Sequence, residues 1–334
     1  MSWNTDAFAT LTTPEQPPTP LIDLPLPAAP GIRLLLKDES KQPTGSLRHR
    51  HARALFRRAV ADGLVTEGTT IVEATGGNAA VAQAWFARRL GLPYIVIMPG
   101  ERTEARARAV EDLGGECRFR TPPLAIYDAA RALAAELGGH YLDQFGRATP
   151  HDLAEELFAQ LGEPPAWVVT GAGTGATSAT LGRWARDHGL PSRVAVADPD
   201  NSAYFPGWTL DTPDYATGMP SRVEGIGRPR VEPGFRPDLV DLVIPVPDAA
   251  AVAAARHLRT HTGLPVGASS GTALWAALEL ADRMRARGET GTVVSLIGDA
   301  APRHLSTYHD DTWTAAKNLD PAPYTAELHT RTTA

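Results

Sequence analysis

Short aliphatic and β-branched runs alternate along this chain with longer stretches in which Ala, Leu and Arg recur at helical spacing. Runs this short, bounded by Gly, Pro or Asp, predict strands at residues 34–38, 70–74, 94–98, 117–120, 141–144, 167–170, 194–198, 242–246 and 293–297. Helices are predicted in most of the gaps. The order is therefore strand, helix, strand, and the fold class is α/β, with parallel strands joined by crossover helices. One helix is predicted to open at Ser46, a good N-cap residue, with Leu47, Ala54, Leu55 and Val60 following at helical spacing. Another is predicted from about Asn78 to Gly91. Gly and Pro punctuation at 162–165 separates two groups of elements and predicts a domain boundary near residue 150. Residues 1–40 then form a Pro-rich leader and a segment on the larger domain, 41–149 a smaller α/β domain, and 150–334 the larger one.

Composition narrows the class of partner. The chain of 334 residues is 43 % hydrophobic and 21 % charged, the balance of a soluble globular protein. A formal charge of -6 supplies no basic field for a phosphate backbone, so nucleic acid is not an expected partner. The opening MSWNTDAFATLTTPEQPPTP has neither a basic nor an apolar targeting region, and no apolar run reaches the roughly 18 residues of a membrane span, so a cytoplasmic location is expected. Cys117 is the single cysteine, and no Cys/His spacing suggests a metal site. Lysine occurs only at Lys37, Lys41 and Lys317.

The segment 166–184, AWVVTGAGTGATSATLGRW, reads strand, glycine turn, helix, which aims backbone N–H groups and a helix N-terminus at one point. That point suits a phosphate or other anion. Gly171, Gly173 and Ala176 also satisfy a dinucleotide fingerprint, with Asp198 ending the next strand, so a nicotinamide-dependent enzyme is an alternative. The hydroxyls of Thr174, Thr177 and Ser178 favour a terminal phosphate.

Six segments occur in a fixed order: KDESKQPTGSLRHR from 37, VEATGGNAAVAQAWFA from 72, YLDQF from 141, VVTGAGTGATSATLGR from 168, SRVEGIGRPR from 221 and VGASSGTALWAAL from 266. Together they resemble the cysteine synthase and L-cysteine desulfhydrase branch of the fold type II pyridoxal-phosphate proteins. The resemblance covers almost the whole chain and implies a two-domain homodimer, a mobile smaller domain, and pyridoxal phosphate held between the domains. It places Gly171, Gly173, Thr174, Gly175 and Thr177 in a phosphate cup, Asn78 at the cofactor's ring hydroxyl, and Gly225 and Gly227 in the loop behind the cofactor. Thr75, Gly76, Gly77, Ala79 and Gln144 fall at the positions that hold the substrate carboxylate.

The chain departs from that pattern where the chemistry is done. Arg48 stands at the Schiff-base lysine position, and a guanidinium that stays protonated near neutral pH cannot serve as the reacting amine. Gly76 and Ala79 lack the hydroxyls of the family's serine and threonine, and Ala300 lacks the hydroxyl that partners the pyridine nitrogen. His51, three residues after Arg48 on the same helical face, is a candidate acid or base, against the plainer reading of an ordinary helix histidine. Cys117 is expected to pack rather than react.

The expected function is a divergent lyase or transferase acting on a small, anionic, amino-acid-derived or phosphate-bearing substrate, with pyridoxal phosphate bound non-covalently if at all. Two further readings remain beside it and the nicotinamide alternative. One is a non-catalytic dimeric binding or regulatory homologue. The other is a conventional cysteine synthase or desulfhydrase with a substitute amine.

Overall fold

The apolar runs become the strands of two sheets. The computed structural model describes every residue except 1, 14, 148 and 334. Its strands, in chain order, are β1 (Leu21–Leu24), β2 (Ile32–Asp38), β3 (Ile71–Ala74), β4 (Tyr94–Pro99), β5 (Glu116–Arg120), β6 (His140–Tyr141), β7 (Trp167–Gly171), β8 (Arg193–Pro199), β9 (Leu242–Val246) and β10 (Gly291–Ile297). The chain folds as two compact units. Met1–Pro17, Gln42–Thr44 and Arg48–His151 make the first; Pro18–Lys41, Gly45–Leu47 and Asp152–Ala334 make the second.

In the first unit four parallel strands lie in the order β5-β4-β3-β6. One face carries the helices Arg48–Ala61 and Asn78–Leu90, whose Phe56, Ala80 and Phe86 pack with Val96 and Met98 of β4. The other carries the helix Ile126–Glu136, whose Ala130 and Leu133 cover Val72, Ala74, Ile95 and Ile97. Coverage on both faces explains why β3 and β4 read as continuous apolar runs rather than alternating ones. From β3 the chain steps to β4 and β5 on one side, then returns to β6 on the other. The turns after β3 and β6 thus emerge side by side at the carboxyl edge, a topological switch point where open α/β sheets bind ligands.

The second unit repeats the arrangement at larger scale, with the order β1-β2-β10-β7-β8-β9. Only β1 is antiparallel, pairing Leu21 with Lys37 at the sheet edge. Its central helix, Ala268–Ala286, is apolar on nearly every side and is buried against the sheet and the helix Asp248–Thr262. A Cβ on Gly271 would lie 1.9 Å from the carbonyl oxygen of Ala251, so these helices meet backbone to backbone. Here β7, β8 and β9 run to one side and β10 lies on the other side of β7, so the switch point falls between β7 and β10. It brings the turn 171–175 beside residues 298–300.

Several expectations need correction. The helix expected to open at Ser46 starts at Arg48, because Ser46 bridges to Asp299 and the Leu47 amide donates to the Gly298 carbonyl at 2.8 Å. The strand expected over 141–144 stops at Tyr141, since Asp143 adopts a left-handed φ of 54°. The leader segment 1–40 does not stay together. Its helix Trp3–Thr12 belongs to the smaller unit, where the Trp3 indole donates to the Leu90 carbonyl at 3.1 Å and Glu15 accepts from Arg89 at 2.6 Å. Among the described residues no helix is long and apolar enough to cross a membrane.

Candidate active site

In the smaller unit the turns after β3 and β6 share one buried carboxylate. Glu73 is fully buried; its Oε1 accepts the Ala74 amide at 2.7 Å and its Oε2 accepts the Gln144 amide at 3.1 Å and Gln83 Nε2 at 3.4 Å. Gln83 in turn accepts from the Tyr94 hydroxyl at 2.8 Å. One side chain thereby fixes both Gln144 and the strand that leads into Thr75. Burial raises the Glu73 carboxyl to about 8, against the pull of its amide donors. Gly77 has φ 67° and ψ -143°, backbone open to glycine, and it turns the chain so that Asn78 begins the helix Asn78–Leu90. Thr75, Gly76, Gly77, Asn78 and Ala79 therefore form one turn leading into a helix N-terminus, and Gln144 is tied beside it.

Arg48 is the first residue of the helix Arg48–Ala61. His51, on the same helix, is buried, with Nε2 3.2 Å from the Arg147 carbonyl oxygen. Burial first, and the Arg48 charge second, push its pKa down to about 4. A histidine so placed is neutral near pH 7 and holds its Nε2 proton toward Arg147. Its contact braces the loop after Gln144 and offers no acid at neutral pH. His49, its neighbour, pairs instead with Glu15 at 3.0 Å.

In the larger unit β7 delivers the glycine turn. Gly175 has φ 82°, and a Cβ there would lie 2.5 Å from Cα of Phe235, so only glycine lets the turn lie against residues 234–235. The Tyr204 hydroxyl donates to the Gly173 carbonyl at 2.6 Å, and the Gly227 amide donates to the Ala172 carbonyl at 2.8 Å. Ile226 covers Gly171, where a Cβ would lie 2.7 Å from its Cγ2. With its carbonyls held from behind, the turn keeps the buried amides of Gly173 and Gly175 without a protein acceptor among the described residues. Two amides so placed at the start of the helix Ala176–Asp187 have the chemistry to receive an anion. Ala300 follows Asp299, whose carboxylate is engaged by His304 and Arg303, each at 2.9 Å. Asp198 is 1 % exposed and accepts the Phe205 amide at 2.8 Å, which withdraws it from any ribose hydroxyl.

Lys37 is fully buried and bonded to Glu156, Gln160 and the Thr19 carbonyl, so its amine is committed to the interior of the larger unit. Lys41 and Lys317 are exposed. Cys117 lies on the edge strand β5, and burial raises its thiol to about 11, away from nucleophile chemistry at neutral pH. Glu73 escaped the sequence reading, although a lone acid inside the apolar run IVEA was a visible signal. Arg106, considered below, left none.

Two open α/β sheets, parallel but for the edge strand β1, each with a glycine turn at its switch point, define a fold suited to ligand binding. The chain belongs to the pyridoxal-phosphate dependent enzyme family, whose model matches residues 12–299. It is 45 % identical over 325 residues to the L-cysteine desulfhydrase Cds1 of Mycobacterium tuberculosis, covering 93 % of this chain and 88 % of that protein. It is 29 % identical over 304 residues to the cysteine synthase of Aquifex aeolicus, covering 86 % and 88 %. Among solved structures, O-ureido-L-serine synthase superposes with a TM-score of 0.77 at 25 % identity, covering 92 % of this chain and 98 % of that one. The fold is accordingly that of the type II pyridoxal-phosphate enzymes, as the motif order implied, and the family excludes the nicotinamide reading.

The residues present fit part of the cofactor. The buried amides of the turn 171–175 suit its phosphate, and the Gly225–Gly227 loop supports that turn. Position 300 offers no hydroxyl to a pyridine nitrogen, and position 48 no neutral amine.

Proposed function

We propose that this protein is a divergent lyase or transferase of the cysteine synthase type, acting on an amino-acid-derived anion, with pyridoxal phosphate held through its phosphate rather than through a lysine. The observation that supports this reading is the pair of buried amides at Gly173 and Gly175, left without a protein acceptor among the described residues, together with an arginine at position 48. When bound, the cofactor supplies an electron-withdrawing ring to the substrate's α-carbon. The chain's own residues do the rest. Gly173 and Gly175 would offer their amides to the phosphate, and Thr174 and Thr177 their hydroxyls. Asn78 would hold the ring hydroxyl. Thr75 and Gln144 would orient the substrate carboxylate, and Arg48, which stays charged, would pair with that carboxylate or with the leaving group. His51 stays neutral and holds the Arg147 loop.

Absence of a hydroxyl at Ala300 and of an amine at Arg48 also favours a second reading, a binding homologue without turnover. One set of measurements tests both. Pyridoxal phosphate should bind in calorimetry, leave on dialysis, and leave no pyridoxyl adduct after borohydride reduction and peptide mapping. An adduct on Lys37, Lys41 or Lys317 would overturn the lysine-free reading and promote the conventional enzyme. Binding without release of product from L-cysteine or O-acetyl-L-serine selects the non-catalytic homologue.

A further inference from the structure

Gly76 leaves a space in the substrate turn, and that space is filled from another element. A Cβ built on Gly76 would lie 3.1 Å from Nη2 of Arg106 and 3.6 Å from Cδ of Pro99. Arg106 projects from the helix Glu104–Glu111, and its Nη1 donates to the Pro99 carbonyl at 3.0 Å. Its guanidinium carbon sits 5.4 Å from the centroid of the Phe119 ring on β5. The carbonyl and the ring hold the guanidinium from two directions, leaving the Nη2 edge against position 76. The sheet explains the meeting. Ala74 pairs with Ile97, and the Thr75 amide donates to the Ile97 carbonyl at 3.1 Å, so Gly76 and Pro99 are carried forward as neighbours beyond the last rung.

The loss of a side chain at 76 and the presence of a cation beside it are therefore one arrangement. We propose that Arg106 recognises the substrate carboxylate at this turn, in place of the hydroxyls missing from positions 76 and 79. The inference deepens the function proposed above and rests on the turn 75–79 being the carboxylate site. A hydroxyl donates one neutral hydrogen bond, whereas a guanidinium edge offers a charge-assisted bond of about twice the strength and a fixed plane. The exchange changes what the site accepts. A turn of hydroxyls and amides tolerates a carboxamide; one faced by a guanidinium discriminates against any ligand without the negative charge. The role assigned to Arg106 is specificity: it favours the free carboxylate over the corresponding amide or ester.

The test is a pair of calorimetric titrations of the full chain, with pyridoxal phosphate present, using L-serine and L-serinamide. The unaltered protein should prefer L-serine. Arg106→Gln should weaken L-serine by roughly 10-fold to 100-fold, the range for a lost charged hydrogen bond, and leave L-serinamide nearly unchanged. Arg106→Lys keeps the charge without the fork, so it should retain part of the preference and serves as the second variant if the first folds poorly. A purely structural brace would weaken both ligands together, and an unchanged ratio of the two affinities would overturn the assignment while leaving the carboxylate turn in place. If the unaltered protein binds neither ligand, the proposed function fails and this inference with it.

Discussion

Glu73 lies on a strand whose other three residues, Ile71, Val72 and Ala74, are apolar, and it is as fully buried as they are. Its folded pKa of about 8 stands above the ordinary 4.5, so between those values the folded protein keeps a proton that the unfolded chain has released. The stability contributed by that proton is complete below about pH 4.5 and declines as pH rises toward 8. Glu73→Gln removes the slope. Urea denaturation across this window should show the variant gaining on the native protein as pH increases; parallel curves would contradict the assignment. Tyr94 and Tyr141 face the same carboxyl and are pushed above their usual values by burial, so neither titrates there, while Asp143 is the other acid beside it. Glu73 shows in the sequence only as an acid inside an apolar run, and its partners do not show at all. Glycines and hydroxyls announce a turn through local conformational demand, but Glu73 and Arg106 act across the sheet on groups far away in the chain. No spacing rule reaches them.

The glycine turn at 171–175 is the element where local sequence and tertiary structure agree most closely. Strand, turn and helix lie where the apolar run, the glycines and the following periodicity predict, because each is set by neighbours in sequence. Thr174→Val with Thr177→Val keeps the shape and removes two donors, each worth about 1.5 to 3 kcal/mol to a charged group. Affinity for pyridoxal phosphate should fall at least 10-fold in calorimetry; unchanged affinity would remove both hydroxyls from the cup. Gly175→Ala should be more severe, since both its φ of 82° and the backbone of Phe235 oppose a side chain. A thermal midpoint within a degree of the parent would contradict that. Agreement fails where a distant strand intervenes. Ser46 has the chemistry of a helix cap, yet residues 46 and 47 are paired to Asp299 and Gly298, just beyond β10, and the helix waits for Arg48. The edge strand β1 was not legible either: its four residues follow a Pro-rich stretch and gain strand geometry only by pairing with β2.

For the molecule as a whole, lysine is so scarce that covalent attachment of a cofactor has few routes, and the most central candidate, Lys37, is locked in an ion pair with Glu156. Arg48→Lys supplies the missing amine, and borohydride reduction in the presence of pyridoxal phosphate should then label position 48. Efficient turnover should not follow, because Ala300, Gly76 and Ala79 remain without hydroxyls. Restoring them is coupled, since Gly76→Ser would press on Arg106. If Arg48→Lys folds but stays unlabelled in excess cofactor, the carry-over of cofactor residues from the family is wrong.

The two units are not consecutive in the chain: residues 18–41 and 45–47 belong with 152–334, while the stretch between and before them belongs elsewhere. During synthesis this imposes an order. The strand β2 has its partner β1 close by in sequence, whereas its other partner, β10, is made only at 291–297, far along the chain. All four strands of the smaller sheet leave the ribosome within residues 71–141 and can complete their ladder meanwhile. The larger sheet closes across one of the longest sequence separations in the molecule, the kind of non-local pairing that forms slowly. No single cut of the gene releases either unit whole, and a fragment ending at 151 would carry residues 18–41 with no sheet to join.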